Sequence, residues 1–218
     1  MLIFDCDGVV LNSNKIKTEA FEILSMRYGK KASSELVNYH LQNGGVSRYK
    51  KFSYLVRNIL EIDDDDLIFN LCAEFELLVT KKLLSCEINP NLRTLKRLTG
   101  SMPWMMITGS PQSEVTLLLK DIGIFDYFDN GIFGSPDTKS EIFERELKAG
   151  RILINSVYIG DSKGDFEAAR KFSIPFIFFS PWSEVSDWQD FCKNNSIKHV
   201  FNLLEVIPAY KNLFNEAN

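Results

Sequence analysis

A chain of 218 residues, 45% hydrophobic and 25% charged, has the balance of a soluble globular protein and the length for one large domain or a core with a smaller insert. Its formal charge of −4, from 25 basic and 29 acidic residues, lacks the basic footprint that nucleic-acid binding needs, yet leaves room for an anionic substrate in a locally positive pocket. No stretch approaches the ~18 uninterrupted apolar residues of a membrane span. No basic segment leading into a long apolar run opens the chain, and Cys6, Cys72, Cys86 and Cys192 are scattered without CxxC or zinc spacing. The expectation is a cytoplasmic protein with free thiols, a monomer or weak dimer, bound to neither nucleic acid nor membrane.

In chain order, "MLIF" reads as a buried strand that runs directly into Asp5, Asp7 and Gly8. Residues 14–86 then read as helical almost throughout. "NKIKTEAFEILSMRYG" predicts a helix with Ile16, Ala20, Ile23 and Leu24 on one face and a stop at Gly29. "SRYKKFSYLVRNILE" and "LIFNLCAEFELLVTKKLL" repeat the pattern, and the acidic run 63–66 suits a helix N-terminus better than a metal site. From residue 100 the texture changes to short apolar runs, "MPWMMI", "GIFG", "SVYIG", "IPFIFFS" and "KHVFN", separated by helical segments at 111–121, 138–148, 164–172 and 202–207. Strands alternating with helices predict an α/β, Rossmann-like parallel sheet covered on both faces. The expected division is a core domain of 1–13 and 87–218 with an all-helical domain, 14–86, inserted after the first strand.

Ligands of such sheets bind at the carboxyl ends of strands. There the sequence places Asp5 and Asp7, then Thr108, Gly109 and Ser110, then Lys139 at a helix start, then Asp161, Ser162 and Asp165. Several carboxylates on one rim repel unless a cation joins them, and hard oxygen ligands that keep some water suit Mg²⁺. A cation and a lysine would also let an anionic nucleophile approach a phosphate, while a hydroxyl and backbone N–H groups hold the transferring phosphoryl. Residues i and i+2 leave a strand on one side, so Asp5 and Asp7 can share a reacting centre, one attacking and the other moving a proton.

"DCDGVVLNS", "ITGS", Lys139 and "GDSKGD" together resemble the four motifs of the haloacid dehalogenase superfamily, in order, over residues 5 to 165. A helical insert between the first two motifs resembles the cap of its β-phosphoglucomutase and phosphoglycolate phosphatase-like branch. The resemblance implies that Asp5 is the nucleophile that forms an aspartyl-phosphate, and that Asp7 is general acid and then base. It implies Mg²⁺ held by Asp5, the backbone carbonyl of Asp7 and Asp161, with Asp165 ligating through water or orienting the other ligands. Thr108, Lys139 and the Gly109 N–H, with Ser110 beside them, would hold the phosphoryl group. Two departures stand out: Leu11-Asn12-Ser13 where many relatives have LxDS, and "ARKFSIPF" where a small Ala-Gly pair is common. Ser13 and Asn14 fall where such caps hinge.

Within the insert, "NGGVSRYKKF" resembles the element that such caps turn toward the active site, and Arg48 is a candidate for gripping a carboxylate or second phosphate of the substrate. Lys50 and Lys51 read as solvated, His40 and His199 have no evident partner, and Lys15 and Lys17 carry no signature of a Schiff-base lysine. The implied activity is a Mg²⁺-dependent phosphomonoesterase for a small phosphorylated metabolite, with a phosphomutase sharing every catalytic residue as the alternative. A dehalogenase would leave Asp7 and Asp161 idle. A receiver-type signalling module also uses acids, a Thr and a Lys on a parallel sheet, but has no helical insert and ends a middle strand with its acceptor.

Overall fold

The computed structural model describes residues 1–215. The chain begins with β1 (Leu2–Phe4) and leaves the sheet for α1 (Asn14–Ser25), α2 (Lys30–Gln42), α3 (Arg48–Tyr54) and α4 (Asp65–Leu84). It returns through α5 (Leu92–Thr99) and alternates: β2 (Trp104–Pro111), α6 (Gln112–Asp121), β3 (Ile132–Ser135), α7 (Lys139–Lys148), β4 (Val157–Gly160), α8 (Lys163–Lys171), β5 (Phe176–Phe179), α9 (Trp188–Asn194), β6 (Lys198–Val200) and α10 (Val206–Asn215).

All six strands are parallel, in the order β3-β2-β1-β4-β5-β6. The period of two along each strand explains how short apolar runs cover both faces. Leu2, Phe4, Trp104, Met106, Val157, Ile159, Ile177 and Phe179 bury one way, against α5, α6 and α10. Ile3, Met105, Ile107, Tyr158, Phe176 and Phe178 bury the other way, against α7, α8 and α9. The architecture is therefore the expected α/β, Rossmann-like sheet between two helical layers.

The helical segments expected after residue 100 form within a residue or two of their predicted starts, except that 202–207 is a 3-10 turn (Leu203–Glu205) leading into α10. The helices α5 and α9 have no counterpart in the sequence reading, because both are short and flanked by polar residues.

The helices α1–α4 share their own apolar cluster, built on Phe21, Leu24, Leu36, Phe52, Leu55, Leu71 and Phe75. In α1 the buried face is Ala20, Phe21, Leu24 and Ser25, whereas Ile23 is 52% exposed. The heptad-like steps 16, 20 and 24 place Phe21 inward and turn Ile23 to the far side, so the predicted face was one residue wide of the true one. Asp64 caps α4 and Asp65 and Asp66 fill its first turn, where acids are favourable with the helix dipole.

Candidate active site

Register brings the predicted residues together. Phe4 pairs with Met106 of β2 and Ile159 of β4, so Asp5 and Asp161, each just beyond its strand, and Thr108, within β2, reach the same edge of the sheet. β1 is also where the connections diverge toward β2 on one side and β4 on the other, the switch point at which open α/β sheets bind ligands. Asp5, Thr108, Lys139, Asp161 and Asp165 are all buried. Cys6, between the two acids, points into the core. Gly8 has a φ of +76°, and a Cβ there would lie 2.1 Å from Asp161 Oδ2, so both the turn and the close approach require glycine.

Helix starts aim the remaining groups. Thr138 and Glu141 form a capping box that places Lys139 at the first position of α7. Ser162 and Asp165 form the same box on α8. Asp165 is thereby saturated: Oδ2 accepts from the Ser162 hydroxyl at 2.6 Å and the Ser162 N–H at 3.1 Å, while Oδ1 accepts from Tyr158 at 2.8 Å and from Lys139. Tyr158 accepts in turn from Lys139 Nζ at 2.9 Å, and its single hydroxyl proton has Asp165 Oδ1 and, at 3.1 Å, the Ile107 carbonyl as alternative acceptors. Tyr158 hid in an apolar run, where a buried tyrosine reads as core; its need for a hydroxyl partner was the available signal.

The two acids of the first motif occupy opposite electrostatic settings. Lys139 Nζ lies 2.9 Å from Asp5 Oδ1, an ion pair by distance but misaligned for a hydrogen bond, so that buried oxygen has none. Burial pushes the Asp5 carboxyl up to about 7, against the pull of Lys139 and with the Asp165 and Asp7 charges adding to the rise. For Asp7, burial acts upward too. The Lys17 ammonium and hydrogen bonds from Lys17, Ser13 and Ser110 outweigh it and hold the carboxyl below its ordinary range. Ser13 Oγ donates to Asp7 Oδ1 at 2.5 Å and Ser110 Oγ to Oδ2 at 3.0 Å, and Lys17 Nζ bridges Asp7 Oδ2 and Ser110 Oγ. Asn14 Nδ2 donates to Asp161 Oδ2 at 2.6 Å. The adjacent residues Ser13 and Asn14 thus reach one carboxylate each, and Lys17, which sequence reasoning set aside, bonds Asp7 directly.

Carboxylate oxygens of Asp5, Asp161 and Asp165 lie within 4.8 Å of one another. Burial, joined by the charges of Asp165 and Asp5, lifts the Asp161 carboxyl well above its usual range. A buried carboxylate oxygen without a hydrogen bond, among acids that burial disfavours as anions, fits a hard divalent cation. Asp165, already engaged at both oxygens, is better suited to holding Lys139 and the loop before α8 than to ligation.

The loop before α3 closes over this rim. A Cβ on Gly109 would lie 2.2 Å from the Gly45 carbonyl oxygen, and one on Gly164 2.2 Å from that of Gly44. A cavity of about 190 Å³ remains, lined by Asp5, Asp7, Lys17, Lys51, Gly109 and Ser110 among others. Arg48 also lines it, but its guanidinium pairs with both oxygens of Glu114 on α6 and with Glu76 on α4. Lys50 is exposed as expected. Lys51 is not: it is 4% exposed, bonded to His40 Nδ1 at 2.6 Å. Helical phase puts Lys51 beside buried Phe52 on the inner side of α3. His40 therefore has partners, Lys51 and Thr18, and His199 packs edge-on against Trp188 and Phe201.

A family model described as haloacid dehalogenase-like hydrolase matches residues 1–172. The chain belongs to the haloacid dehalogenase-like hydrolases. A curated relative is a phosphorylated carbohydrates phosphatase of Thermotoga maritima, 28% identical over 189 residues that cover 81% of this chain and 83% of that one. Among solved structures, a haloacid dehalogenase-like family protein of Streptococcus pneumoniae superposes with a TM-score of 0.69 at 21% identity, over 96% of this chain and 97% of that one. A β-phosphoglucomutase of Clostridium difficile does so with a TM-score of 0.71 at 17% identity, over 98% and 97%. These likenesses establish the fold. Among the described residues, no helix is long and apolar enough to cross a membrane.

Proposed function

We propose that this hydrolase is a Mg²⁺-dependent phosphomonoesterase acting on a small phosphorylated carbohydrate or phospho-acid, with residues 14–86 as its cap. The observation that carries the reading is the contrast between Asp5 and Asp7: one buried acid beside a lysine and two further carboxylates, the other held by three donors two residues away. The name of the Thermotoga relative supports the substrate class.

Asp5, Asp161 and the backbone carbonyl of Asp7 would hold the ion, which when bound neutralises phosphate oxygens and the acids around them. Asp5 attacks phosphorus, the bond to the alcohol oxygen breaks, and an aspartyl-phosphate forms. Thr108, Lys139, Ser110 and the Gly109 N–H hold the phosphoryl oxygens, a preorganised donor set. Asp7 gives its proton to the departing oxygen and then takes one from the water that releases phosphate. The closed arrangement holds Asp7 as a carboxylate, the form for the second half. The Lys17 contact must loosen for the first, and Lys17 rides on the cap.

The test is turnover of a panel of phosphosugars and phospho-acids with Mg²⁺ or with EDTA. Phosphate release that EDTA abolishes and Mg²⁺ restores is expected; activity undiminished by EDTA refutes the metal assignment. Movement of the phosphoryl group between positions of one sugar, without release, would identify a phosphomutase instead.

A further inference from the structure

Three cationic side chains of the helical insert line the cavity: Lys17, Arg48 and Lys51. Two are already matched. Lys17 is paired with Asp7, and Arg48 with Glu114 and Glu76. Lys51 makes no ion pair among the described residues. Its hydrogen bond goes to a neutral acceptor, His40 Nδ1, and the Phe21 ring lies 5.4 Å from its Nζ. An ammonium has three donors, so two remain without a protein partner in a side chain that is almost wholly buried against the cavity.

The surroundings hold that lysine in place. For Lys51 to donate to His40 Nδ1, the imidazole must carry its proton on Nε2, which donates to Thr18 Oγ1 at 3.0 Å. The Thr18 hydroxyl then donates to Glu184, at 2.9 and 3.1 Å to its two oxygens. Every donor in this relay points away from Lys51, and it ties α3, α2 and α1 to the loop after β5. Burial, then the Lys17 ammonium, press the Lys51 proton affinity down to about 7, a cost that an arriving anion would remove.

We propose that Lys51, held by the relay His40–Thr18–Glu184, is the specificity-determining residue of a subsite for an anionic oxygen group, a carboxylate or second phosphate, on the alcohol portion of the substrate. This rests on the phosphatase reading and moves the role expected of Arg48 to a residue whose charge is still free.

The experiment compares kcat/KM for phosphate esters of a hydroxy acid, of a second phosphorylated alcohol (a bisphosphate) and of a neutral polyol, in wild type and Lys51→Met. The ratio of the anionic to the neutral esters is expected to fall roughly tenfold or more in the variant, chiefly through KM. The anionic ester that loses most identifies carboxylate or phosphate as the group read. A ratio unchanged in the variant overturns the proposal, because a merely structural lysine would depress all three esters alike. Should Lys51→Met not fold, the wild-type panel still decides: preference for the neutral ester over both anionic ones overturns it. Turnover of none of the three overturns the phosphatase reading separately. Calorimetry with a non-hydrolysable carboxylated phosphonate then decides for Lys51, a roughly tenfold loss of affinity in the variant supporting it and equal affinity overturning it.

Discussion

The sheet rim and the inner face of the helical insert treat charge in different ways. On the rim, Asp165 and Lys139 are surrounded by partners from the sheet and its own helices: Asp165 has five donors, and Lys139 touches Asp5, Asp165 and Tyr158. On the insert, cations reach across the gap. Lys17 meets Asp7, Arg48 meets Glu114, and Lys51 meets no acid at all. Strand ends and helix starts hold the rim groups in a shared network, whereas each contact from the insert is a single side chain reaching across to the core.

The largest break in this comparison comes from the rim. Asp5→Asn keeps size and removes the nucleophile, and turnover should fall on the order of 10⁴-fold or more in initial-rate assays. A variant with normal turnover would remove Asp5 from the mechanism. Next comes the contact between the two regions. Lys17→Met should slow turnover by up to roughly 10²-fold, with breakdown of the aspartyl-phosphate becoming limiting, because Asp7 loses the charge that keeps it a base. Stopped-flow measurement should show a burst of alcohol release; linear kinetics at the wild-type rate would count against this.

A smaller effect is expected where the loop of the insert meets the rim. Gly109→Ala drives a methyl into the Gly45 carbonyl, a backbone atom that can yield only by shifting the loop. Displacement of that order should cost about 10- to 100-fold in kcat/KM while the melting temperature stays close to wild type. Full activity would show that closure of this loop is not needed.

The smallest effect concerns stability. Lys51→Met should raise the melting temperature at pH 6, since a buried ammonium is replaced by an apolar chain. That advantage should shrink between pH about 7 and the ordinary lysine value of 10.5. In that window the folded wild type has lost the Lys51 proton while the unfolded chain keeps it, so wild-type stability rises with pH. A constant difference from pH 6 to 10 would place Lys51 in a solvated setting.

The acids, the threonine and Lys139 were readable because a parallel sheet has one functional edge. Any polar residue that ends a short apolar run must arrive there, and pairing of Phe4 with Met106 and Ile159 does the rest. Lys17, His40, Lys51 and Tyr158 were not readable for a common reason. Helical periodicity says that a lysine lies near an apolar face without saying what covers that face, and a tyrosine inside a strand looks like any core aromatic. Lys51 sits one residue before Phe52, at the margin of the buried stripe, where exposure is decided by the neighbouring helix and not by the pattern.

By itself, the sequence determined the parallel sheet, the acids on its edge and their order along the chain, because strand period and strand ends are local properties. The tertiary structure alone decided how differently those acids are paired and which cations face them. Burial depth, the alignment of Lys139 and the docking of α1 and α3 over the rim are long-range contacts, and the energy of a buried charge depends on what surrounds it rather than on its place in the chain.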